Sequence, residues 1–185
     1  MARRILATVA RGALFLDRDG TLIVDVGYPR DPALVEPVAG AAAALRALQD
    51  DWALVVVSNQ SGIGRGIITE REAAAVHDRF IAVFAAEGVR FAGFYYCPHA
   101  PEAGCDCRKP APGLFVQAAR ELGLDLASSV TIGDKASDLA AGRAAGCARV
   151  VRFGPDADGA VADARCEEWS DALAVVGAGR PSSRS

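Results

Sequence analysis

Two carboxylates one residue apart, Asp17 and Asp19, close the apolar run Ala13-Leu14-Phe15-Leu16 and are followed by Gly20 and Thr21. The run reads as a buried parallel strand, and parallel sheets carry their chemistry at the carboxyl ends of their strands. Alternate residues of an extended segment point the same way, so the two aspartates can converge on one spot. Such a pair can hold a divalent cation, one carboxylate serving as nucleophile and the other moving protons. The same residues would also make a plain Asp-Gly turn, in which both serve geometry alone.

Two further apolar runs end in comparable chemistry. Trp52 to Val57 leads into Ser58-Asn59-Gln60-Ser61-Gly62, and Ser129 to Ile132 leads through Gly133 into Asp134-Lys135, with Asp138 nearby. Lys109, just before Pro110, adds a cation ahead of another helical segment. A nucleophile, an acid/base, metal-binding carboxylates, a hydroxyl and a lysine are the parts of phosphoryl transfer, where catalysis is mostly positioning and charge neutralisation.

A second cluster lies between. Cys97, His99, Cys105 and Cys107 place three thiols and an imidazole within one loop. That is a closed tetrahedral zinc set, and closed sets are structural because no position is left for water. The competing reading is a disulfide beside an idle histidine, which a reducing compartment disfavours. A loop rich in glycine and proline buries too little apolar surface to order itself. Zinc over residues 97–107 would fix it and aim Arg108 and Lys109. Cys147 and Cys166 have no ligand-like neighbours and read as core or incidental residues. His77, mid-helix, reads as a surface or packing residue.

The elements that must position these groups alternate along the chain, the pattern of a parallel sheet covered by helices on both faces. Helices are expected over Pro37 to Gln49, from the Thr69-Glu72 capping box to Glu87, and over Pro112 to Leu122, Ser137 to Ala145 and Glu167 to Val176. Gly88, Gly123 and Gly146 are helix stops. Strands are expected over Arg90 to Tyr96 and Ala148 to Phe153. The segments after the first and third strands are a short flap and a short loop, leaving no room for a large cap domain. Residues 1–176 read as a single domain and 177–185 as a disordered tail.

A chain of 185 residues with net charge −3 and scattered arginines does not suit a general nucleic-acid binder, whose affinity is built from lysine and arginine. No stretch approaches the ~20 apolar residues of a membrane helix. The apolar part of residues 1–10 is too short for a signal peptide and is interrupted by Arg11, so a cytoplasmic protein is expected. With no coiled coil or evident interface helix, a monomer is expected.

The chain resembles the haloacid dehalogenase superfamily of phosphatases. The resemblance runs from about Leu14 to about Val151 and rests on Asp17-Arg18-Asp19-Gly20-Thr21, Gly27-Tyr28, Ser58 to Gly66, the Cys97-to-Pro110 segment and Gly133-Asp134-Lys135. It implies a three-layer, doubly wound, Rossmann-like sheet and an aspartyl-phosphate mechanism. Asp17 would attack phosphorus, and Asp19 would protonate the leaving oxygen and then activate water. Asp17, the Asp19 main-chain carbonyl and Asp134 would hold Mg²⁺. Ser58 and Lys109 would stabilise the transferring group. Substrate contacts would come from Asp25, Val26, Gly27 and Tyr28, from Ser58, Asn59, Gln60 and Ser61, and from Arg108 and Lys135. Asp138 would orient Lys135 or cap the next helix.

The implied substrate is a small phosphorylated sugar, in the branch that acts on a heptose bisphosphate. Ser61 to Gly66 and Gly27-Tyr28 favour that branch, and Arg65 could help bind a second phosphate. The short Ala100-to-Gly104 spacer equally fits the related histidinol-phosphate phosphatases. A non-catalytic, zinc-stabilised binding module is the alternative of a different class, but every expected catalytic position is filled.

Overall fold

The computed structural model describes residues 12–155 and 158–177. Six strands form one sheet: β1 (Ala13–Leu16), β2 (Ala53–Asn59), β3 (Gly93–Cys97), β4 (Val130–Gly133), β5 (Arg149–Phe153) and β6 (Ala164–Cys166). Their order is β3-β2-β1-β4-β5-β6, and every pairing is parallel. The order in which strands are added reverses at β1, so the crevice beyond β1 and β4 is the topological switch point where such sheets bind ligands. In register, Leu16 lies opposite Val56 of β2 and Ile132 of β4. That brings Asp17, Ser58 and Asp134 to one edge of the sheet.

Helices cover both faces, giving three layers. Leu14 and Leu16 of β1 pack with Leu45 of α1 (Ala41–Leu48), Phe80 and Phe84 of α3 (Glu70–Ala86) and Trp169 of α6 (Trp169–Gly177). Ala13 and Phe15 face the other way, against Phe115 of α4 (Gly113–Leu122) and Ala141 of α5 (Ala136–Ala145). This is the period-two alternation of a strand buried on both sides. No helix among the described residues is long and apolar enough to cross a membrane.

Element boundaries shift from those expected. α1 starts at Ala41, because Val38 N–H is held by Leu22 O at 2.9 Å and Gly40, at φ +79°, turns the chain into the helix. β3 starts at Gly93, since Arg90 N–H goes instead to the Gln49 side chain at 2.8 Å. The Thr69-Glu72 capping box forms, and Gly123 and Gly146 end their helices in the left-handed conformation. The single turn α2 (Ser61–Gly64), the edge strand β6 and three short 3-10 turns escaped the sequence reading. Gly177 closes α6; residues 1–11 and the rest of the expected tail, 178–185, lie outside the described residues.

Candidate active site

Asp17 leaves β1 with its N–H on Ile132 O at 3.1 Å and its carboxylate buried beneath the crevice. Lys109 arrives from the loop after β3, and its Nζ lies 2.6 Å from Asp17 Oδ1, 2.6 Å from Asp138 Oδ1 and 2.7 Å from Val57 O. All three charged side chains are at least nine-tenths buried. Burial works against the lysine's charge, but the two carboxylates outweigh it and hold Lys109 above the ordinary lysine range. Burial also pushes Asp17 well above the carboxylate range; Asp138 and Asp19 add to this and Lys109 opposes it.

Asp138 does more than the sequence reading expected. Its Oδ2 accepts the Lys135 N–H at 3.0 Å, which caps α5, while its Oδ1 grips Lys109. It does not orient the Lys135 side chain, whose Nζ lies 3.0 Å from Asp25 Oδ2 and 3.8 Å from Asp134 Oδ2. The Lys109 contact has no local sequence signal, because the two residues are far apart in the chain.

Asp19 sits in a polar cradle. Arg18 Nε and Nη2 donate to its carboxylate at 3.1 Å, Gln60 Nε2 donates at 2.8 Å, and Ser58 Oγ lies 3.5 Å away. Gln60 Nε2 also reaches Ser58 Oγ at 2.8 Å. Asp134 follows β4, and its Oδ1 accepts from Thr21 Oγ1 at 3.3 Å. Burial raises Asp134, with Lys135 opposing. Behind the turn, Trp169 Nε1 donates to Thr21 O at 2.9 Å, and the fully buried Arg152 donates to Asp134 O at 2.7 Å. Neither support was anticipated from sequence.

The carboxylates of Asp17, Asp134 and Asp138 present oxygens within 4.8 Å of one another. Asp138 has both oxygens engaged, which leaves Asp17 and Asp134 as the donors facing the crevice. One buried and one half-buried carboxylate, each raised by desolvation, suit a hard divalent cation that keeps most of its remaining ligands as water or phosphate oxygen.

The flap after β1 folds over the crevice. Asp25 Oδ1 accepts the Gly27 N–H at 2.9 Å, and its other oxygen takes Lys135. Tyr28 lies beside α2, accepting from Arg65 Nη1 at 2.9 Å; hydrogen bonds with Ser61 and Arg65 lower its phenol from the ordinary range. Val26 is exposed. Arg108 carries a buried Nη1 without a hydrogen-bond partner, an orphaned cationic donor of the kind an anionic ligand satisfies. The Asn59 side chain faces Lys109 instead, bonding its main-chain N–H and C=O at 3.0 Å each.

Cys97, His99, Cys105 and Cys107 also come together. Sulfur–sulfur separations are 3.1 to 3.5 Å, and His99 Nδ1 lies 3.4 and 3.2 Å from the sulfurs of Cys97 and Cys107. Tetrahedral bonds of 2.3 Å set sulfurs about 3.8 Å apart, so a slight expansion of this set seats a zinc ion. The donor set and its convergence fit that metal. Cys147 and Cys166 stand apart from it, and His77 packs edge-on against Phe94 with ring centroids 4.8 Å apart.

Paired carboxylates, a clamped lysine and a hydroxyl at one sheet edge are the parts that phosphoryl transfer needs. Comparison with known proteins agrees. The HAD-hydrolase-like family model matches residues 106–154. D-glycero-beta-D-manno-heptose-1,7-bisphosphate 7-phosphatase of Vibrio cholerae is 45% identical over 146 residues, 75% of this chain and 78% of that one. The protein of the same name from Escherichia coli K12 is 41% identical over 162 residues, 80% and 85% of the two chains. The crystal structure of D,D-heptose 1,7-bisphosphate phosphatase from B. bronchiseptica, complexed with magnesium and phosphate, superposes with a TM-score of 0.77 at 31% identity, covering 90% of this chain and 97% of that one. This chain belongs to the D-glycero-beta-D-manno-heptose-1,7-bisphosphate 7-phosphatase family of HAD-like hydrolases.

Proposed function

We propose that the chain is a Mg²⁺-dependent phosphatase that removes the 7-phosphate of D-glycero-D-manno-heptose 1,7-bisphosphate, in the synthesis of nucleotide-activated heptose. The observation that carries this reading is the buried Asp17–Lys109–Asp138 chain beside Asp19 at the switch point. The shared name of the relatives supports the substrate and favours its β anomer.

An Asp17 oxygen attacks phosphorus and the bond from phosphorus to the sugar oxygen breaks, leaving an aspartyl-phosphate. Asp19 gives its proton to the departing oxygen. It then takes a proton from water, which attacks the same phosphorus, frees inorganic phosphate and restores Asp17. Lys109 and Ser58 face the equatorial oxygens, where negative charge accumulates. Asp17, the Asp19 main-chain carbonyl and Asp134 would hold Mg²⁺, which would add charge neutralisation at the phosphoryl group. Asp25 to Tyr28, Gln60, Ser61, Arg108 and Lys135 contact the sugar, with Arg108 and Arg65 on the second phosphate.

Cys97, His99, Cys105 and Cys107 hold a structural Zn²⁺ in this reading, and the chain works as one cytoplasmic, monomeric domain over residues 1–176. The short Ala100-to-Gly104 spacer keeps histidinol phosphate as the second candidate substrate. Phosphate release with Mg²⁺, offered both heptose anomers and histidinol phosphate, separates the two. Preference for a heptose bisphosphate supports the proposal; preference for histidinol phosphate overturns the substrate assignment while keeping the chemistry.

A further inference from the structure

We infer that Asn59 is a positioning residue: its carboxamide holds the Lys109 main chain and thereby aims the Lys109 ammonium at Asp17. The inference rests on the reading above, in which Lys109 acts on the transferring phosphoryl group.

Asn59 is the last residue of β2. Its Nδ2 donates to Lys109 O at 3.0 Å, and its Oδ1 accepts from Lys109 N–H at 3.0 Å. Two antiparallel hydrogen bonds on one residue copy the exchange between paired strands, here made by a side chain. Val57, two residues earlier on the same strand, accepts from Lys109 Nζ through its carbonyl at 2.7 Å. β2 therefore grips Lys109 at both its backbone and its ammonium. Without the Asn59 clasp, the backbone of Lys109 would hang from the cysteine loop, two residues after Cys107.

The residue type follows from the geometry. Only a carboxamide sets a donor and an acceptor side by side. Aspartate would keep the acceptor but turn an oxygen toward the Lys109 carbonyl, and alanine would leave both main-chain groups unpaired in a half-buried setting. The family resemblance counts Asn59 among substrate contacts. Its polar atoms instead face the protein, and its effect on substrate passes through Lys109.

A double-mutant cycle tests this. Asn59→Ala is expected to lower kcat by ~10–100-fold, the cost of misplacing a catalytic group by about 1 Å, with KM within about twofold of wild type. In a Lys109→Ala background the same change should cost nothing further, because its only route of action is gone. A loss that multiplies with that of Lys109→Ala, or a rise in KM that persists without the lysine, would show direct substrate contact and overturn the inference. Asn59→Asp covers the case in which the alanine variant fails to fold, and the same lack of further loss is expected of it. If the wild type releases no phosphate, the substrate reading fails instead. Calorimetric binding of inorganic phosphate with Mg²⁺ then runs the same cycle and decides the role of Asn59.

Discussion

Asp138 Oδ1 lies 2.6 Å from Lys109 Nζ, and the two side chains are almost wholly buried. The other Asp138 oxygen caps α5 through Lys135 N–H. One carboxylate thus fixes the lysine and the loop that carries Asp134. Asp138→Asn should keep much of the cap but lose the charge, lowering kcat by ~10²-fold or more, as removal of a charge-stabilising group does. Asp138→Ala should lose activity to a similar degree and be about 1–2 kcal/mol less stable than the asparagine variant, through loss of the cap. Steady-state kinetics and urea unfolding of the two variants check both statements.

The cysteine loop should contain one zinc per chain. Cys105 is lowered to about 6 against the burial that opposes it, by hydrogen bonds with Cys107 and Cys97, whereas burial and hydrogen bonds with Cys97 and Cys105 push Cys107 up to about 12. Zinc must displace protons from these thiols, so its affinity should rise with pH. Cys107→Ser should lose the metal and much of kcat, because Arg108 and Lys109 follow directly. Elemental analysis beside kinetics is the measurement.

Asp17 gives the metal-free protein a pH-dependent stability. Burial raises its carboxyl from 3.8 to about 8 in the folded state. Between those values the folded chain binds a proton that the unfolded chain has released, so unfolding free energy falls as pH rises. Asp25, Asp158 and Asp163 are lowered instead and act below this window. Cys105, lowered to about 6, acts in the opposite sense, so the Asp17 contribution is read as a difference: without added Mg²⁺ the wild type should lose stability relative to Asp17→Asn between about pH 5 and about pH 8. Chemical unfolding of both proteins at a series of pH values would show that difference.

Gly64 joins α2 to the cysteine loop. A Cβ there would stand 2.5 Å from Ala100 N and 2.7 Å from Pro98 O, both backbone atoms. Gly64→Ala should cost about 1–3 kcal/mol, the usual penalty of forced overpacking, and should weaken zinc retention as well. Thermal unfolding with zinc release followed in parallel would register both effects.

The β1 tip, the Thr69 cap and the four zinc-type ligands were legible because each has a local signature in spacing or residue type. So was the parallel sheet, from apolar runs that end in polar residues. The Asp138–Lys109 pair, the Asn59 clasp and the Trp169–Thr21 hydrogen bond were not. Each joins residues remote in sequence that meet only in the folded chain. β6 was missed for another reason: three residues, only one of them fully buried, leave no period to read.

Trapping the covalent intermediate tests the central claim most directly. The reaction is quenched during turnover of heptose bisphosphate with Mg²⁺ and treated with borohydride, which reduces an aspartyl-phosphate to homoserine. Peptide mapping should find the reduced side chain at position 17, in wild type and not in Asp17→Asn. Phosphate release with an unmodified Asp17 would contradict the account.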